Sequence, residues 1–172
     1  MIVLYEAVDN YQADRSQNED SERIELSERP PVVGDFVQMN SDRRWKVVCV
    51  ETYYGKNGVI VLALVSLEGV TVPAREQWFQ AEQRQEYPEV CLNVQQFADG
   101  RLHHYGWGMT GNPPGGRLFG AEPTEHPTLM RTIPLPLAVS EVDTYRPSEE
   151  SSYTAIHVCH VVAVDLPEMA VA

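Results

Sequence analysis

Positive charge is scarce in this chain: 13 lysines and arginines stand against 25 acids, a formal net charge of −12 over 172 residues. Phosphate backbones are gripped by Lys and Arg that release counterions, and anionic lipid surfaces attract the same side chains. Nucleic acid and membrane surfaces are therefore both disfavoured as partners. Long hydrophobic runs are missing too. The longest, Val59 to Val65, is broken by Ser66, Glu68 and Gly69, far short of the ~20 residues that a spanning helix needs. The opening MIVLYEAVDN lacks a basic stretch leading into an apolar one, and the ending DLPEMAVA carries no lipidation box, so a cytoplasmic location is expected. Cysteine is sparse and scattered. Cys49, Cys91 and Cys159 form no CxxC pair, which predicts reduced, buried thiols and no structural zinc. No G-x-S-x-G elbow, H-E-x-x-H, Walker A or strand-linked G-x-G-x-x-G occurs. A non-catalytic protein is favoured over an enzyme, with no catalytic residue and no cofactor expected.

What remains is a β-rich pattern. Hydrophobic residues make up 43% of the chain, enough for one core, and a single acidic domain over 1–172 is expected. Strands are predicted at residues 2–8, 33–39, 45–52, 59–67, 90–98, 101–109 and 153–164, with 137–145 a further candidate. Asn57-Gly58 and Asp99-Gly100 supply hairpin turns. Residues 73–86 predict one short helix: Pro73 suits its first turn and Ala74, Trp78 and Ala81 can share a face. The acid-rich segment 9–29 predicts a solvated loop, and 110–136, punctuated by Gly and Pro, an irregular one. The fold class is mainly β, a β-rich α+β chain built on an antiparallel meander.

Within that meander, Pro31-x-x-Gly34-Asp35-x-Val37 is followed by a polar turn and then Trp45-x-Val47-x-x-Val50. Residues 31–67 resemble the start of small SH3-like barrels, which implies a barrel filled by alternate residues and a binding role towards RNA, DNA or peptides. The nucleic-acid versions carry Lys/Arg-rich loops; here the meander offers Arg43, Arg44, Lys46 and Lys56 within a chain of net −12. Another protein is the expected partner, and the oligomeric state stays open.

Residues 103–119 are the most unusual stretch. His103-His104-Tyr105-x-Trp107 precedes a Gly/Pro turn holding Asn112, and Arg117 and Phe119 follow. Aromatics and arginine give large contact area for little lost side-chain entropy, as binding hot spots do. Tyr105, Trp107, Asn112, Arg117 and Phe119 are accordingly the expected binding residues, with Trp107 and Phe119 as barrel plugs the competing reading. The leading function is a non-catalytic protein-binding module, a small subunit or adaptor. Its alternative is a small metal-binding protein or enzyme using His103 or His104 with His157 and Cys159, which alternate along one strand face. His126, beside Glu125 and near Glu122, is a further general-base candidate.

Overall fold

A computed structural model describes residues 1–8, 22–39, 42–72, 74, 88–108, 114–126 and 128–165. The chain is mainly β, with strands making up most of the described residues and no helix among them, and the sheet is open and mixed. The meander expected at 31–67 is present, but its closure into a small barrel is not seen. The helix expected at 73–86 lies, apart from Ala74, outside the described residues. No helix among the described residues is long and apolar enough to cross a membrane. The chain divides into two compact units, residues 1–90 with 144–156 and residues 91–143 with 157–172.

The first unit is built on β1 (Ile2–Ala7), β2 (Glu22–Leu26), β3 (Phe36–Gln38), β4 (Arg44–Gly55) and β5 (Gly58–Leu67). β1 lies between β2 and β5, antiparallel to the first and parallel to the second, with Leu4 opposite both Ile24 and Leu62. Parallel neighbours sit inside a sheet, which is why β1 and β5 are near-continuous apolar runs and not alternating ones. Val3, Tyr5 and Ala7 pack with Trp45, Val47, Val61, Ala63 and Val65 on one side of the sheet. Leu4, Leu62 and Leu64 are equally buried.

The expected loop at 9–29 needs correction. Residues 22–26 form β2, while 9–21 lie outside the described residues. β2 lies at the end of the strand order, and its charged residues suit an edge strand. Arg23 pairs with Glu25 at 2.7 Å and donates to the Gln38 carbonyl, and Tyr5 donates to Glu25 at 3.0 Å. The β4–β5 turn also shifts by one residue. Gly55 pairs with Gly58, so Lys56 and Asn57 occupy the bend, and Gly58 (φ +129°) opens β5. Gly55 is required by crowding: a Cβ there would lie 2.6 Å from the Tyr145 ring.

A buried polar chain ties distant parts of this unit together. Tyr153 Oη donates to both Glu6 oxygens at 2.9 and 3.0 Å, and its backbone N–H donates to Tyr53 Oη at 3.1 Å. Tyr53 Oη donates onward to Glu51 at 2.9 Å, and Glu51 also accepts from Ser152 N–H and Oγ. Two carboxylates are thus held away from water by tyrosine and serine donors, as buried charge requires.

The second unit carries β6 (Glu89–Gln96), β7 (Leu102–Gly108), β8 (Arg117–Pro123), β9 (Met130–Pro147) and β10 (Ala155–Ala163). The first residues of β6 and β10 and the last of β9 belong to the first unit, where residues 145–147 pair with 53–55. The strand order is β9-β10-β6-β7, with β8 also paired to β9. Leu118, Val139, Cys159 and Val161 form its core cluster, and Tyr105, Leu135, Leu137 and Val142 pack against it. The β6–β7 connection is a three-residue loop. Gly100 N–H bonds the Phe97 carbonyl, Phe97 N–H bonds the Arg101 carbonyl, and Gly100 (φ +85°) takes the left-handed position.

The irregular loop expected at 110–136 is likewise corrected, since β8 and the start of β9 occupy 117–123 and 130–136. Prolines are usually a reason to reject a strand. Here Pro134 and Pro136 alternate with Ile133, Leu135 and Leu137, so the prolines point outward and the aliphatic residues inward. Pro136 still contributes its carbonyl to the ladder, accepting from Val164 N–H.

Candidate functional site

The β8–β9 hairpin sets the geometry of the most distinctive surface. Residues directly opposite in an antiparallel ladder share a face, and the register pairs Phe119 with Pro134, Ala121 with Thr132 and Pro123 with Met130. All six are exposed. Phe119 and Met130 are each 61% accessible, and Leu129 in the connecting turn 58%. Thr132 is the only polar side chain of the six. The intervening residues face the other way: Leu118 enters the core, while Glu122 and Arg131 form an ion pair. In a chain with 22% charged residues, this outward face is uncharged from Phe119 to the turn. Arg117 stands at its end, on the same alternation, and its Nη2 donates to the Asp165 carbonyl at 3.4 Å. Between Arg117 and Phe119 one residue of β8 faces three of β9, an irregularity that bends the ladder beside Phe119.

The other expected binding residues fall elsewhere. Tyr105 is the extra residue of a bulge in β7, where Asn93 pairs with Gly106 and Val94 with His104. Its hydroxyl donates to Gln95 Oε1 at 2.5 Å and its ring packs against the core cluster. His103 meets that ring edge-on, centroids 4.7 Å apart. Tyr105 is thus half-committed to packing. Trp107 lies in β7 opposite Leu92, and the position of its side chain is outside the described atoms, as is all of Asn112. Of the five, Arg117 and Phe119 share the hairpin face.

The metal alternative meets a geometric obstacle. His103 is on β7 while His157 and Cys159 are on β10, and β6 lies between them. Two strand spacings separate the backbones by ~10 Å. Among the described residues no three His, Cys, Asp or Glu side chains gather. Cys159 is 1% exposed, and burial pushes its thiol above the ordinary value of 9.0, opposite to the thiolate character that metal binding uses. Burial, and then the neighbouring His103, holds His104 below its ordinary value of 6.5. His126 lies in the β8–β9 turn, where Nδ1 is 3.0 Å from Thr128 Oγ1, and Glu122 is taken by Arg131.

Sequence reasoning missed three features. The apolar contribution of Pro123 and Met130 has no local signal, and that of Pro134 is legible only as strict alternation over 133–139. His160 Nε2 lies 2.8 Å from Asp143, a pairing with no local sequence signal. Among the described residues the His160 ring bonds only Asp143, because Ser140 Oγ goes to the His160 carbonyl. The pair therefore has no hydroxyl nucleophile on its ring. Third, Phe36 carries Arg44 over its ring at 3.7 Å on the outer side of the meander. Compared with family models, with curated proteins and with solved structures, the chain matches none.

Proposed function

We propose that this chain is a non-catalytic protein-binding module, a small subunit or adaptor, that receives a partner protein on the outward face of the β8–β9 hairpin. The observation that carries the reading is the register itself. Phe119–Pro134, Ala121–Thr132 and Pro123–Met130 build a solvent-facing surface without charge on a protein of net −12. Contiguous exposed apolar surface on a soluble chain marks interaction sites, and depletion of charge at the centre is the compositional mark of an interface. Phe119 supplies an aromatic anchor and Arg117 a polar rim contact, as interface hot spots are built. Proline on both strands keeps the surface stiff, so little conformational freedom is lost when it is covered. Tyr105 orients the neighbouring hairpin in this reading and does not touch the partner.

A photo-crosslinking amino acid at position 119 tests this directly. Under illumination in extract from the source cells, the full chain is expected to form one dominant adduct with a different protein. The same group at exposed Tyr54, in the first unit, serves as background. Adducts from position 119 no more abundant or specific than those from position 54 would overturn the proposal.

A further inference from the structure

Independently of the hairpin, the outer side of the β3–β4–β5 meander carries a second recess. It is an open groove of about 260 Å³ lined by Phe36, Lys46, Val48, Leu67, Val70 and Val72, with Ser66, Glu68 and Gly69 completing the wall. The register explains it. Phe36, Lys46 and Ser66 lie side by side across the three strands, and the irregularity between Val47 and Cys49 gives Val48 its place in the wall. Val70 and Val72 follow β5 and leave 39% and 42% of their surface in solvent, Phe36 46%.

Charge decides what fits. Three of the chain's 13 basic residues fall within Arg43 to Lys46. Arg44 is engaged, stacked on Phe36 and 3.7 Å from Glu68. The Lys46 side chain makes no ion pair or hydrogen bond among the described residues, and the rest of the lining is apolar apart from Gly69, Ser66 and Glu68, whose carboxylate faces Arg44. An occupant must therefore offer an apolar group to Phe36, Val48 and Val72 and an anion to Lys46. The volume falls below the ~300–1,000 Å³ of sites that engulf small ligands. The groove thus suits one or two side chains of a longer chain that stays largely in solvent. The overall charge of −12 does not forbid an acidic occupant, since exposed charges more than ~8 Å away are largely screened at physiological salt.

We infer that this groove is a docking site for an acidic–aliphatic peptide segment of another protein, with its carboxylate on Lys46 and its aliphatic side chain against Phe36 and Val72. It is a site separate from the hairpin face and does not depend on it.

Selection of a random peptide library on the immobilised full chain at 0.15 M salt, followed by fluorescence anisotropy of the enriched peptides, tests the inference. Enriched peptides are expected to carry Asp or Glu within three residues of Leu, Ile, Val or Phe. They should bind Lys46→Ala and Phe36→Ala at least tenfold more weakly, and Phe119→Asp with unchanged affinity. Lys46→Glu should exchange the acidic preference for a basic one. Because Lys46 and Phe36 are exposed, both variants should melt with the native chain. Val72→Asp provides a second probe within the lining, with the same tenfold loss. The inference is overturned by any of four results: no enrichment over bare matrix, enrichment of neutral or basic peptides, peptides indifferent to Lys46→Ala, or concentration-dependent sedimentation abolished by Phe36→Ala, which would make a second copy the occupant.

Discussion

Removing one oxygen from Tyr153 should be costly out of proportion to its size. The phenol donates to both oxygens of Glu6, a carboxylate 3% exposed, and the Tyr153 ring is itself 1% exposed. Tyr153→Phe keeps the ring volume, so no cavity opens and the transfer contribution is unchanged. What is lost is a hydrogen bond to a charged acceptor that water cannot replace, worth ~1.5–3 kcal/mol. A loss of about 2 kcal/mol is expected, read as a shift of the urea midpoint without change in slope. For a chain of this size that is a fall in melting temperature of about 4–8 °C. Tyr54→Phe, at an exposed ring, should change stability by less than ~0.5 kcal/mol. Glu6→Gln closes a double-mutant cycle, in which a coupling of ~1 kcal/mol or more is expected between residues in direct contact. Should Tyr153→Phe lie within ~0.5 kcal/mol of the native chain while the urea slope is unchanged, the buried polar chain does not hold residues 150–156 as described.

Two further outcomes follow from the titrating groups. Because His104 is held below 6.5 by burial and by His103, the unfolded chain binds the proton more readily there. The His104 contribution to stability is therefore complete above about pH 6.5 and is lost as the pH falls through its lower folded value; His104→Gln should flatten urea midpoints measured from pH 7.5 to 5. Cys159, sealed in the core cluster with its thiol pushed up, should resist a thiol reagent at pH 8 until the chain unfolds, while half-buried Cys49 and Cys91 react first. Equal rates at all three would contradict the packing of β10.

Where local pattern and tertiary role agreed, the sequence was legible. Val-rich runs bounded by Asn-Gly and Asp-Gly marked β4, β5, β6 and β7, because turn chemistry and alternation are both short-range. β2 was hidden since ERIEL sits in an acid-rich stretch, and Glu25 meets Tyr5 and Arg23 once the sheet has formed. β8 and the first part of β9, before the strand expected at 137–145, were hidden by proline. Counting Pro134 and Pro136 as breakers obscured the alternation of Ile133, Leu135, Leu137 and Val139, which places those prolines on the face opposite the core. In the sequence Phe119 stands out as an aromatic in a loop. Its exposure comes instead from strand parity, and the same parity brings in Met130 and Pro123, which have no conspicuous chemistry alone. The parallel pairing of β1 with β5 joins residues about 58 positions apart, and no local signal specifies it.

Phe119→Ala, melted and assayed side by side for capture of the crosslinked partner, tests the central claim most directly. An exposed interface anchor predicts a melting temperature indistinguishable from that of the native chain and binding weaker by ~2 kcal/mol or more, roughly thirtyfold. A ring that serves packing predicts the reverse. A loss of ~3 kcal/mol in stability, as core aromatic truncations cause, with capture of the partner undiminished in the fraction that stays folded, would contradict the assignment of the β8–β9 face as a binding surface.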